Sequence, residues 1–132
     1  MTIVPMYAAL LALLFLLLSK RVINTRRKVR VAVGDGGNAE LTRAIAVHNN
    51  FAQYVPLALL LLAFMELQRA QPMLLHVLGI ILLLARVIHA YGVSQMQEPF
   101  RLRTVAVGMT FGVIATASAY LLLGAMLRSY YS

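Results

Sequence analysis

The chain has 132 residues, of which 61% are hydrophobic and only 12% charged, and its mean hydropathy is +0.81. A soluble domain this small exposes so much of its surface that it needs far more polar residues, so the composition excludes one and points to a single membrane domain. Net charge is +8, from 12 Lys and Arg against 4 Asp and Glu. These charges gather at the ends of apolar stretches, which favours an anionic membrane surface over nucleic acid. No cysteine is present, which excludes disulfides, thiolate metal sites and a cysteine nucleophile.

A helix needs about 20 residues to cross roughly 30 Å of hydrocarbon. The first span is predicted over about 3–23. From Ala8 to Leu18 it has no polar side chain, and Lys20 and Arg21 close it by extending their heads to the interface. The run lacks a basic leading region and a small-residue cleavage site, so it reads as a retained helix and not a signal peptide. A basic connection is expected next, with Arg26, Arg27, Lys28 and Arg30, ending in the glycine-rich turn Gly34-Asp35-Gly36-Gly37. That turn lacks the lysine of a phosphate loop and a preceding strand.

The second span is predicted over about 39–68. Asn38 is expected to cap it, with Glu40 in the first turn where the helix dipole favours an anion. Its first half carries Arg43, His48, Asn49, Asn50, Gln53 and Tyr54, whereas 55–65 is almost wholly apolar. Pro56 removes a donor and is expected to bend the helix and free the carbonyl near Ala52. Arg69 to Pro72 make a turn. The third span is predicted over about 73–93 and carries His76, Arg86 and His89. Gln95 to Pro99 make the next connection, and the fourth span is predicted over about 101–127. The result is an all-α four-helix bundle in the membrane, one domain over 1–132. Lys and Arg favour the cytoplasmic side. The 1–2 connection and the arginines at Arg101 and Arg103 therefore put both termini on the non-cytoplasmic side.

Ionisable groups within spans are costly and turn inward or toward water. Arg43, Asn50 and Tyr54 fall on one stripe of the second span, with Gln53 to one side and His48 pointing elsewhere. Arg86, His89 and Val93 share a face of the third. Arg86 lies deep in an apolar stretch and needs a partner; Glu66, though acidic, should lie toward the opposite bilayer face. The three histidines are too scattered for a metal site, and no metal is expected. A small bundle has little interior room, so a polar cluster would be housed between subunits. Gly79, Gly92, Gly108, Ala106 and Ala115 allow close helix approach.

The stretch from Gly34-Asp35-Gly36-Gly37 through His48-Asn49-Asn50 to Gln53-Tyr54-Val55-Pro56 resembles the MAPEG superfamily, the membrane-associated proteins in eicosanoid and glutathione metabolism, in its bacterial branch. The likeness continues through Ala85-Arg86-Val87-Ile88-His89-Ala90-Tyr91-Gly92 and into the arginines that open span four. The resemblance implies a homotrimer in the bacterial inner membrane, with glutathione as co-substrate bound between subunits near the cytoplasmic side. It implies transfer of glutathione to hydrophobic electrophiles, reduction of lipid peroxides, or, in a non-catalytic branch, lipid binding. By position, Arg43, Asn50, Gln53, Tyr54, Arg86 and His89 would hold the peptide. Arg101 or Arg103 would face the thiol and lower its pKa from the usual value near 8.5, making the thiolate nucleophile. Three positions depart from the pattern: Ala46 where many relatives have arginine, Gln53 where they have glutamate, and Val93 where active relatives often have tyrosine.

Two functions follow. One is a glutathione-dependent transferase or peroxidase whose hydrophobic substrate arrives through the lipid. The other, favoured by Ala46, Gln53 and Val93, is a non-enzymatic lipid-binding or scaffold protein of the same fold. A four-span drug exporter is disfavoured, because span one has no embedded acid for proton coupling.

Overall fold

A computed structural model describes residues 1–97 and 100–131. Within them the chain forms four helices: α1 (Ile3–Val29), α2 (Ala39–Leu67), α3 (Pro72–Ser94) and α4 (Phe100–Tyr131). Each is long and apolar enough to cross a membrane. Backbone polar groups in hydrocarbon must be satisfied within the segment, and a helix does this by itself. Helices α2 and α3 each touch the other three, while α1 and α4 flank them without touching one another. Leucines such as Leu13, Leu16, Leu17 and Leu57 face outward on the isolated chain. This surface suits lipid or a second copy rather than water.

The first helix runs past its expected span. Arg26, Arg27 and Lys28 sit in its last turn, not in a loop. At 27 residues α1 is about 40 Å long, so its basic end projects beyond the hydrocarbon. Cations there also suit the negative end of the helix dipole. Arg30 ends the helix in the left-handed region, with φ 56°. The Arg26 guanidinium then donates to the carbonyls of Ala32 (3.4 Å) and Gly34 (2.6 Å), folding the chain back over the helix end. Arg101 and Arg103, at the start of α4, share this end of the bundle; Glu66, Arg69 and Arg128 mark the other.

Helix α2 begins as its sequence implies: the Asn38 side chain accepts from the Leu41 N–H at 3.0 Å, and Glu40 lies in the first turn. Pro56 stands inside the helix, which continues unbroken to Leu67. Pro72 occupies the opening turn of α3, where its missing N–H costs nothing. The connection expected over Gln95–Pro99 is described only to Gln97, and Glu98 and Pro99 lie outside the described residues.

Glu66 is not the partner of Arg86. Its carboxylate accepts the backbone N–H groups of Thr2 (2.5 Å), Ile3 (2.9 Å) and Val4 (2.8 Å). The first N–H groups of a helix have no internal acceptor, so one acid from α2 supplies what α1 lacks. Nearby, the buried Tyr7 donates to or accepts from His76 Nδ1 at 3.0 Å, and its ring lies on Gly79. A Cβ at Gly92 would meet Leu102 Cβ at 3.3 Å, a tight contact, whereas a Cβ at Gly108 would meet nothing and Ala115 is exposed.

A Cβ at Gly79 would come within 2.5 Å of Tyr7 Cδ2. Gly79→Ala should therefore destabilise the bundle by about 1–3 kcal/mol through overpacking, read as a lower melting temperature in detergent. Glu66→Ala orphans three N–H groups at the rim of the membrane and should cost a similar amount, about 1–3 kcal/mol.

Candidate functional site

Arg86 is the largest side chain buried in the structure, with 2% of its surface exposed. Its guanidinium donates to Asn50 Oδ1 on α2 at 2.8 Å and to Thr110 Oγ1 on α4 at 2.6 Å. The Thr110 hydroxyl gives its own proton to the Ala106 carbonyl at 3.0 Å. One arginine on α3 therefore ties three helices together. Both acceptors are neutral, and Nε has no hydrogen-bond partner among the described residues. Thr110 was not singled out by the sequence, where it is one of several hydroxyls on an apolar span; only the fold brings it opposite Arg86.

Beside this tie a polar pocket opens between α2, α3 and α4. Ala46, Asn49, Asn50 and Gln53 form one wall, His89 and Val93 a second, and Arg103 a third; the cavity is about 160 Å³. A second cavity of about 480 Å³ shares Ala46, Val93 and Arg103 with it and continues to Gly37, Thr42 and Arg43. The larger volume lies within the usual range for small-ligand sites, about 300–1,000 Å³. The glycine-rich turn shapes its mouth. Asp35 accepts from the Gly37 N–H at 3.0 Å and the Thr42 hydroxyl at 2.8 Å, and these bonds, the Gly37 one foremost, hold its carboxyl below the ordinary value.

Of the residues the sequence singles out, Asn50, Gln53, His89 and Arg103 line the inner pocket, and Arg43 lines its continuation. Arg43 is also engaged at the end of α3, donating to the carbonyls of Val93 (3.3 Å) and Met96 (3.5 Å). Arg86 stands behind Asn50 and outside the lining. Tyr54 packs against Phe111, with ring centroids 5.4 Å apart, and lines neither cavity. Arg101 is exposed and lines neither cavity. The two arginines left open by the sequence lie two residues apart on α4, just over half a turn, and only Arg103 lines the cavities. Asn49 was missed as a lining residue, although 46, 49 and 53 follow a helical stripe. His48 points away toward α1, where Nε2 meets Ser19 Oγ at 3.1 Å and the ring stacks on Phe15.

A second, wholly apolar groove of about 270 Å³ lies between α1 and α2, lined by residues including Leu11, Phe15, Val55, Pro56 and Leu59. No cluster of three or more His, Asp or Glu able to hold a metal occurs among the described residues.

The MAPEG family model matches residues 4–124. The chain belongs to the MAPEG family. The same segments that carry the motifs, α2 through α4, line the pocket described above. Among curated proteins it is similar to the inner membrane protein YecN of Escherichia coli K12 and to YecN of Escherichia coli O6:H1. Each is 45% identical over 87 residues. The match covers 66% of this chain and 66% of each relative.

The absence of native cysteine makes a proximity test simple. The pair Ala46→Cys with Arg103→Cys should be bridged by a short bifunctional thiol reagent, shown by chymotryptic fragments that stay linked. Ala46→Cys with Arg101→Cys should not be bridged.

Proposed function

We propose that this MAPEG protein binds glutathione in the α2–α3–α4 pocket and uses it to conjugate hydrophobic electrophiles or reduce lipid peroxides. The observation that carries the reading is the convergence of Arg103 with Asn50, Gln53 and His89 on one cavity that widens toward Arg43. Amide donors and a guanidinium suit a peptide with two carboxylates. Arg103 stabilises the thiolate; Arg101 does not. In conjugation the thiolate sulfur attacks the electrophilic carbon and the leaving group departs with the bonding pair. In peroxide reduction the thiolate sulfur takes the terminal oxygen as the O–O bond breaks, and the alkoxide leaves and is protonated to the alcohol; a second glutathione then displaces the sulfenic hydroxyl as water and closes the disulfide.

The site works in a homotrimer. On the isolated chain Ala46, Asn49 and Gln53 are exposed along one stripe of α2. Amides facing hydrocarbon are costly, and a neighbouring copy covers them. Both termini lie on the non-cytoplasmic face of a bacterial inner membrane, because the basic end of α1 and the Arg101–Arg103 end of α4 lie together. Exposed Lys20, Arg27 and Arg30 meet anionic lipid heads there.

A non-enzymatic lipid-binding role is the second reading. The apolar α1–α2 groove favours it, as do Ala46 and Val93, which put no charge or hydroxyl into the pocket.

Single arginine variants test the assignment. Arg103→Ala should abolish the ultraviolet thiolate band of bound glutathione and lower turnover by about 10- to 100-fold, the size of one lost charge-assisted bond. Arg101→Ala should leave both near wild type. The opposite pattern removes Arg103 from the mechanism, and wild-type protein that copurifies with lipid but gives no thiolate band supports the second reading.

A further inference from the structure

From the donor chemistry around the buried arginine we infer that Arg86 is a positioning residue, which fixes the Asn50 amide so that the pocket reads an acceptor on its ligand. The inference rests on the ligand-binding reading of the pocket. An amide can turn either end inward, but a guanidinium only donates. With Arg86 behind it, Asn50 must point Oδ1 inward, as the 2.8 Å contact has it. Turning the amide would set NH₂ against a buried cation and leave two donors facing each other. Thr110 cannot relieve that clash, because its single proton is spent on Ala106.

The consequence falls on the pocket side. Asn50 lines the cavity, and its Nδ2 makes no bond within the described residues. Its two unspent N–H groups therefore face the ligand. Arg103 lines the same cavity. The group that Asn50 holds is an acceptor, a carboxylate or a peptide carbonyl. Arg86 never touches the ligand. It sets the ligand's orientation through one amide, and its own burial among neutral partners keeps it from being satisfied any other way.

Asn50→Asp separates this role from a packing role. The carboxylate gives Arg86 the anionic partner it lacks and so preserves the inner bond, yet it offers the pocket no donor. The variant should melt at or above the wild-type temperature in detergent and bind glutathione about tenfold more weakly or worse. Asn50→Leu should lower the melting temperature, since it strands the guanidinium. Arg86→Met, if it folds, should also weaken glutathione binding while leaving the pocket walls in place. Asn50→Asp that binds as tightly as wild type overturns the inference, and so does Asn50→Asp that melts as low as Asn50→Leu. The melting comparison needs no ligand. Failure of wild-type protein to bind glutathione would therefore strike the proposed function, and a stabilised Asn50→Asp would still support the orientation of the amide.

Discussion

A guanidinium cannot be buried in a thin helical bundle without acceptors. In this protein that demand organises the centre. Arg86 on α3 reaches Asn50 on α2 and Thr110 on α4. Meeting it requires α2 to turn its polar stripe toward α3, and requires α4 to approach closely enough for a hydroxyl to bond. Ala106, fully buried one turn before Thr110, allows that approach. The cavity walls then follow, since Gln53 and Ala46 lie near Asn50 on α2 and Arg103 lies two turns before Thr110 on α4.

The two ends of the bundle are finished differently. At the acidic end Glu66 closes the first turn of α1, which fixes α1 against α2. At the basic end Arg26 folds the loop back, and Lys28 pairs with Glu40 at 3.0 Å. That pair is exposed on both sides and adds little. The stronger constraint on the loop is Asp35, which holds Gly37 and Thr42 together at the mouth of the larger cavity. Arg21 donates to Ser94, joining α1 to the end of α3 at the same level.

The spans were legible because hydropathy and length decide them with little help from tertiary structure. The Asn38 cap and the Gly79 contact were legible for local reasons, a capping side chain and a missing Cβ. The end of α1 was not: basic residues read as a loop, although they also suit the last turn of a helix that has left the hydrocarbon. The stripe of α2 announced Asn50, and the depth of Arg86 announced that it needed a partner. The partner's identity was hidden, because charge suggests an acid and the structure supplies an amide and a hydroxyl. The choice between Arg101 and Arg103 was hidden too. Two residues on a helix differ by more than half a turn, and nothing in one sequence says which side meets the pocket.

The pocket is lined by amides and one arginine, and Ala46 and Val93 bring it neither charge nor hydroxyl. Whether it takes up glutathione decides between the two functions proposed for it. Calorimetric titration of glutathione into the detergent-purified protein tests it most directly. Saturable binding is expected, weakened about tenfold or more in Arg103→Ala. No heat of binding at millimolar glutathione, from protein that melts cooperatively, would contradict it.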